Sequence, residues 1–187
     1  MARKKEYKEE EVIEKAMALF WNNGYETTSM QMLEKEMGIN KFSIYASFGN
    51  KNGVFLECMK CYKKKLNQII LPLKNATDGM KGLKQYFYDF IEFSRDPQIA
   101  RGCLITNTAN ELNEDADPTI KAELSKFTGE IRTHFANALK RNTTKDAITI
   151  ENQADYFLIS MFGMASASRV FPKEQLHNYI ENIFKNA

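Results

Sequence analysis

The chain has 187 residues, of which 43% are hydrophobic and 27% are charged, with a formal net charge of +2. This is enough apolar material to bury a core without metals or disulfides, and three cysteines in a reducing compartment are expected to be free thiols. No apolar stretch is long enough to cross a bilayer, and the charged N-terminus lacks the apolar segment of a secretory signal. We therefore expect a cytoplasmic protein with no membrane span.

Helical periodicity dominates the sequence, so we predict an all-α protein. A first helix over about 8–23 has apolar residues at positions i, i+3, i+4 and i+7 and ends at Gly24. A second, short helix follows the possible caps Thr27, Thr28 and Ser29 and ends at Gly38. Asn40 is expected to cap a third helix that runs to about Ser47.

The rest of the chain continues with helices separated by proline-containing turns. A long fourth helix is predicted from Lys51 to about Leu71, where Pro72 should stop it. Five further helices are predicted, over about 78–95, 103–112, 118–141, 150–170 and 173–185.

The second and third helices are joined by the tight turn Met37-Gly38-Ile39-Asn40 and supported by the first helix, an arrangement typical of a helix-turn-helix unit. The third helix would then project outward, as is needed to enter the major groove of DNA. Between Lys41 and Lys65 there are six lysines and one acid, Glu57, which favours a surface that faces phosphates. An ordinary solvated lysine-rich helix face is the alternative.

The run ALFWNNGYETTSMQMLEKEMGINKFSIYASFGNKNGVF resembles the DNA-binding region of the TetR family. The matching residues are Ala16, Phe20, Gly24, Tyr25, Thr28, Leu33, Gly38, Ile39, Tyr45, Phe48 and Lys51. The resemblance implies a three-helix DNA-binding domain over 1–50 and a larger helical domain over 51–187 for effector binding and dimerisation. It also implies a ligand-responsive regulator, most often a repressor. Since the sequence offers no cluster of metal ligands, we expect no metal and no cofactor.

Residue chemistry suggests how such a domain would hold DNA. Thr28, Tyr45 and Lys51 are predicted to contact phosphates. Base contacts are predicted for exposed residues of the third helix, namely Asn40, Lys41, Phe42 and Ser43, with Ala46 and Ser47 as flanking candidates. The basic N-terminal segment, with Arg3, Lys4 and Lys5, is expected to enter the adjacent minor groove.

Each of these contacts has a plainer alternative. Tyr45 could pack against the first helix, Thr28 could serve only as a cap, and Lys41 could be solvated. Two residues depart from the common family pattern, because Phe42 replaces a frequent glycine and Glu34 replaces a small alanine. The first suggests an unusual base contact, and the second leaves the local packing in question.

The resemblance implies that the larger domain binds a small molecule and dimerises. Small and apolar residues in the last two helices suggest that these form the homodimer interface, so that two third helices read a palindromic operator; ordinary core packing within one chain is the alternative for these helices. We predict a small apolar or electrophilic effector. Its predicted site contains Phe90 and Phe127 with Asn107 and Tyr156 as polar groups, although plain core packing is the alternative for each.

A Gly-Cys-Leu run places Cys103 near a helix start and beside Arg101, which makes this thiol a candidate sensor of electrophiles or oxidants; plain core is again the alternative. Cys58 and Cys61 form a CxxC on one helix, but without a second such pair we predict packing rather than zinc.

The sequence argues unequally against two other classes of protein. A small helical enzyme is disfavoured because the sequence has no Gly-rich phosphate loop, no GxSxG and no cluster of metal ligands. An interaction protein that keeps the fold but not specific DNA binding is the remaining alternative, since Phe42 and Glu34 are unusual.

Overall fold

A computed structural model describes residues 7–95, 102–141 and 143–185, and over these residues the chain is helical with no strand. The helices are α1 (Glu9–Asn23), α2 (Met30–Met37), α3 (Lys41–Phe48), α4 (Lys51–Asn75), α5 (Gly79–Ser94), α6 (Leu104–Glu111), α7 (Pro118–Leu139), α8 (Ala147–Ala167) and α9 (Lys173–Lys185). The predicted all-α fold is confirmed. Arg3, Lys4, Lys5 and Arg101, to which roles were assigned above, lie outside the described residues.

Short polar residues start most of these helices, because a side-chain oxygen can accept one of the free N–H groups of the first turn. Side chains that do so are those of Ser29, Asn40, Asn50, Asp78, Asp117 and Asp146. Most helix starts were therefore readable from the sequence. The prediction for α8 was displaced, because the helix spans Ala147–Ala167 instead of about 150–170 and is capped by Asp146.

The first helix buries one face against α4. Phe20 packs edge-on against Phe55 of α4 at 5.0 Å between ring centroids, and Trp21 packs edge-on against Tyr62 at 5.1 Å. All four of these side chains are buried. The helix α1, which supports the helix-turn-helix unit, is thus packed directly on the long helix α4.

The predicted end of α4 at Leu71 is wrong, because the helix passes through Pro72 and ends at Asn75. Pro72 is exposed and only three residues from the helix end, so its missing N–H costs one hydrogen bond but does not stop the helix before Asn75. Arg141, which follows α7, then caps α4 by donating to the carbonyls of Leu73 at 2.9 Å, Lys74 at 2.6 Å and Ala76 at 2.8 Å.

Aromatic side chains fill the core of the C-terminal bundle. Phe87 of α5 contacts Phe135 of α7, Phe157 of α8 and Phe184 of α9, with ring centroids 6.1, 5.9 and 5.3 Å away. Phe87 thereby joins four helices, and this aromatic set forms core rather than pocket walls.

The short helix α6 lies between the two halves of the chain and contacts α1, α4 and α8. Gly102 precedes it with φ of 81°, a backbone conformation that would be strained in a residue with a side chain. At the other end of α6, the Glu111 carboxylate accepts a hydrogen bond at 3.0 Å from the backbone N–H of Glu26, in the loop between α1 and α2. In the part of the chain that the structure describes, no helix is both long and apolar enough to cross a membrane.

Candidate nucleic-acid interface

The helix α3 is held on the protein by one buried side chain and a fixed N-terminal turn. Ile44 is fully buried in the core that also contains Leu33 and Met37 of α2. Gly38 adopts the left-handed conformation, with φ of 69°, that a tight turn between two helices requires. Asn40 then caps α3 by accepting the Ser43 N–H at 2.9 Å. This leaves most of α3 facing outward.

Three side chains dominate the outer surface of α3. Phe42 is 87% exposed, the largest exposure among the large apolar side chains of the described residues, and Tyr45 is 43% exposed. The Lys41 ammonium lies 5.7 Å from the centroid of the Tyr45 ring, within range of a cation–π attraction. An aromatic side chain held in water at this position has no packing role in the isolated chain.

The residue whose packing was in question, Glu34, reaches the start of α3. Its carboxylate accepts a hydrogen bond at 2.9 Å from the backbone N–H of Lys41. Glu34 therefore acts as a second cap on α3, and a small residue at this position could not do so.

Sequence reasoning missed Tyr7, which lies just before α1. Its hydroxyl is 2.7 Å from the Ser47 hydroxyl and donates weakly to the Ser43 carbonyl at 3.4 Å. Ser43 and Ser47 are consequently half-buried beneath Tyr7 instead of sharing the outer face with Phe42. A single tyrosine ahead of a charged helix gave no periodic signal that could have revealed this contact.

The Thr28 hydroxyl, which was predicted to contact a phosphate, points into the protein. Thr28 is buried, and its hydroxyl donates to the Gly24 carbonyl at 2.6 Å. Ser29 is the residue that caps α2, by accepting the Met32 N–H at 3.2 Å. A phosphate at this helix end would meet Ser29 and the backbone N–H groups rather than the Thr28 hydroxyl.

Lys51 is the first residue of α4 and is half-buried. Its ammonium lies 4.5 Å from the centroid of the Tyr25 ring and donates to the Glu26 carbonyl at 3.2 Å. Burial lowers the pKa of Lys51, while burial and the nearby Glu26 raise the pKa of Tyr25 to about 12. Tyr25 in turn donates to Asn52, which donates to Asp117 at 2.6 Å and so ties this corner to α7.

Of the predicted effector residues, Phe90, Cys103 and Phe127 lie in the interior of the larger domain. The Tyr62 hydroxyl donates to the Cys103 sulfur at 3.1 Å, and the Tyr86 hydroxyl donates to the Met161 sulfur at 3.4 Å. Burial, with a further contribution from Cys103, raises the pKa of both phenols. The sequence did not identify Tyr62, whose role is visible only from its distance to Cys103.

Asn107 and Tyr156 are not brought together by the fold. Asn107 is buried and accepts a hydrogen bond from Arg169 at 3.3 Å. Tyr156 lies on the outer surface of α8, and the expectation that it lines the same pocket as Phe90 is wrong because its neighbour Phe157 is the residue that turns inward.

Cys58 and Cys61 occupy separate environments on α4. Cys58 is buried and its thiol donates to the Ile13 carbonyl at 3.7 Å, whereas Cys61 is half-buried. Burial raises the pKa of both thiols, which disfavours the thiolate that a metal would need. Over the described ranges, no group of three His, Cys, Asp or Glu residues is placed to hold a metal ion.

Residues 12–58 match the family described as "Bacterial regulatory proteins, tetR family", and residues 79–183 match the "Tetracyclin repressor-like, C-terminal domain". The chain belongs to the TetR family. Its relatives are transcriptional regulators rather than enzymes, so the predicted family and regulatory class are confirmed.

Among the relatives of this TetR-family chain is the uncharacterised regulator YezE of Bacillus subtilis, 30% identical over 142 residues, or 75% of this chain and 73% of that protein. IcaR of Staphylococcus aureus, the negative regulator of a biofilm operon, is 26% identical over 170 residues, 87% of this chain and 86% of IcaR.

Two solved structures show the same fold. A cysteine-substituted variant of CifR in complex with 26-base-pair operator DNA superposes with a TM-score of 0.89 at 23% identity, covering 98% of each chain. The reduced form of NemR from Escherichia coli gives a TM-score of 0.77 at 14% identity, covering 96% of this chain and 95% of NemR.

Proposed function

We propose that this TetR-family regulator is a homodimeric repressor that holds a palindromic operator with two copies of α3 and releases it when an effector binds. The observation that carries this proposal is the outward face of α3, where Phe42, Lys41 and Tyr45 are exposed on a helix anchored by buried Ile44. The negative regulator IcaR and the operator complex of CifR support it. Access to chromosomal DNA places such a repressor in the cytoplasm.

In the proposed complex, some residues of α3 and its flanks contact bases and others contact phosphates. Phe42 reads a thymine methyl group in the major groove and Lys41 donates to guanine, while Asn40 and Ser43 lie at the same helix end. Tyr45 and Lys51 contact phosphates and set the register, with Ser29 beside Thr28 at the start of α2. These contacts fall within the 1–50 domain and the first turn of α4.

Dimerisation is assigned to α8 and α9 because both helices leave apolar side chains in water. The exposed stripe of α8, spaced at helical intervals, consists of Ile148, Asn152, Tyr156, Ile159, Gly163 and Ser166. A groove of about 390 Å³ between α8 and α9 is lined by residues that include Gly163, Ala167 and Tyr179. Pairing these helices with a two-fold mate would cover the stripe and make a four-helix interface.

The effector site is assigned to the interior around Cys103, Tyr62 and Tyr86. Sulfur is a weak hydrogen-bond acceptor, so the two buried phenols would gain from a ligand oxygen in place of sulfur. Phe90 and Phe127 would supply apolar contacts, with Asn107 at the edge. This chemistry suits a small, largely apolar molecule with a carbonyl oxygen, including an enone that adds the Cys103 thiol across its double bond.

Release is assigned to a movement of α6. Its two ends touch the DNA-binding half, at Trp21 through Gly102 and at Glu26 through Glu111. An effector that displaces Cys103 would shift these contacts and change the spacing of the two α3 helices, so that both cannot sit in successive major grooves, about 34 Å apart.

The experiment begins with selection of bound fragments from genomic DNA, followed by fluorescence-anisotropy titration of the selected duplex and of a random duplex. Phe42→Ala and Lys41→Ala should weaken operator binding by roughly five- to hundredfold, since a good base contact is worth about 1–3 kcal/mol. Lys126→Ala, on the surface of α7, is the matched control and should bind normally. A folded protein that selects no fragment would instead support an interaction protein without DNA binding.

The effector assignment is tested with N-ethylmaleimide, which forms an S–C bond with a thiol while the thiol proton passes to the adjacent carbon. Peptide mass spectrometry should find the adduct on Cys103, and operator affinity should fall. Cys103→Ser should retain affinity after treatment. Modification of Cys61 alone, with no change at Cys103, would contradict the proposal that an effector reacts covalently with Cys103.

A further inference from the structure

The side chain of Glu34 connects the two helices of the helix-turn-helix unit. Its backbone carbonyl accepts the Gly38 N–H at 3.1 Å, which closes α2, and its carboxylate accepts the Lys41 N–H at 2.9 Å, which opens α3. One residue therefore sets both the end of the first helix and the start of the second.

The carboxylate of Glu34 brings a negative charge to the end of α3 that is expected to approach DNA. The α3 sequence, KFSIYASF, contains no acidic residue of its own. A carboxylate is stabilised at a helix N-terminus by the helix dipole, but a DNA phosphate is attracted by the same N–H groups and the same dipole. When Glu34 holds the Lys41 N–H, that donor is closed to phosphate.

We propose that Glu34 is a specificity-determining residue, which excludes phosphate from the start of α3 and fixes this helix for base contacts. The inference rests on the proposed operator binding and names a role in it for Glu34. The carboxylate repels a DNA phosphate that approaches the start of α3, while its hydrogen bond holds the Lys41 backbone, and with it Lys41 and Phe42, in the orientation needed at base edges.

These two effects act unequally on the two kinds of DNA. Affinity for random DNA comes almost entirely from attraction between basic groups and phosphates. A carboxylate at the interface repels the phosphates and so lowers this affinity directly. Binding to the operator adds base contacts, which depend on the orientation of α3 and so benefit from the cap. Glu34 therefore lowers affinity for random DNA more than affinity for the operator.

Two substitutions separate charge from hydrogen bonding. Glu34→Gln removes the charge but keeps an oxygen that can accept the Lys41 N–H, whereas Glu34→Ala removes both. Glu114→Gln, an exposed acid in the loop after α6, is the control for net charge. Each variant is titrated by fluorescence anisotropy against the selected operator duplex and a random duplex of the same length, with circular dichroism melts as a check of folding.

Glu34→Gln should bind the random duplex about two- to fivefold more tightly, with a smaller gain on the operator, so that the ratio of the two affinities falls. Glu34→Ala should gain on random DNA and lose roughly two- to tenfold on the operator, two changes of opposite sign that a general loss of stability would not give. Equal changes of affinity for both duplexes, or no change of affinity in Glu34→Gln, would overturn the proposed role of Glu34 but leave the proposed operator binding intact. A wild-type chain that binds neither duplex would overturn the proposed function itself.

Discussion

Trp21 donates its indole N–H to the backbone carbonyl of Gly102 at 3.2 Å, although the two residues are 81 positions apart in the chain. Trp21 is buried at the C-terminal end of α1, and Gly102 stands next to Cys103 at the start of α6. The bond therefore joins the base of the DNA-binding unit to the segment that carries the candidate sensor thiol. A displacement of α6 would act on α1 through this contact.

Replacing Trp21 by phenylalanine should lower the free energy of unfolding by at least about 1–3 kcal/mol, because it leaves a buried carbonyl without its donor and also removes part of a buried ring that packs on Tyr62. Urea denaturation followed by circular dichroism measures the loss. Tyr88→Phe is the matched control, since it removes a hydrogen bond to Glu181 at the surface and should cost less. An equal loss in the two variants would show that the Trp21 hydrogen bond contributes no more to the free energy of unfolding than a surface hydrogen bond does.

Ile159 is 71% exposed in the single chain, at the centre of the stripe on α8. Ile159→Lys should yield a monomer, because it places two ammonium groups near the two-fold axis of the proposed interface, and operator affinity should fall with the dimer. Analytical ultracentrifugation measures the mass. Leu71→Lys, at a position 47% exposed on α4, should remain a dimer. A dimeric Ile159→Lys would place the interface elsewhere.

The helix-turn-helix unit was predictable because local signals determine it. Asn40 caps α3 and Gly38 takes the left-handed turn, and both act within a few residues of the elements that they start or end. Such short-range rules operate before tertiary packing is known. The predicted first, second and third helices consequently agree with the structure to within one or two residues.

Features that depend on distant residues were not predictable in the same way. Pro72 did not end α4, because Arg141 supplies donors to the final carbonyls from 65 to 68 positions away. Tyr156 and Phe157 are adjacent in sequence, and their opposite placement follows from the orientation of α8 against Phe87. The contact between Tyr62 and Cys103 spans 41 positions and has no periodic signature.

Arg141 provides a direct test of how α4 is ended. Arg141→Ala removes donors to three backbone carbonyls and should lower the free energy of unfolding by about 1–3 kcal/mol. Arg141→Lys keeps the charge but not the planar fork of donors, so it should restore only part of the loss. Thermal melts compare the variants with wild type. Full restoration by lysine would mean that charge alone stabilises this helix end.

The acid sensitivity of the α7–α8 contact should depend on Arg132. Its guanidinium is 2.6 Å from a Glu151 oxygen and 2.5 Å from an Asp155 oxygen, and hydrogen bonds to Arg132 lower the pKa of both carboxyl groups. A carboxyl group whose pKa is lowered by folding stabilises the protein above its unfolded pKa, roughly 4, and this contribution disappears as the pH falls through the lower, folded value. Arg132→Ala should therefore lose less melting temperature than wild type between about pH 6 and pH 3.

The control for this pH experiment is Arg95→Ala, since Arg95 donates to the Phe171 carbonyl at 2.6 Å, a group that does not titrate. Its melting temperature should fall with pH in parallel with that of wild type, whatever the offset between them. Because Glu151 and Asp155 are partly exposed, solvent screens their attraction to Arg132, so the informative quantity is the slope against pH and not the stability at one pH. If Arg132→Ala and wild type have the same slope, other carboxylates account for the loss of stability in acid.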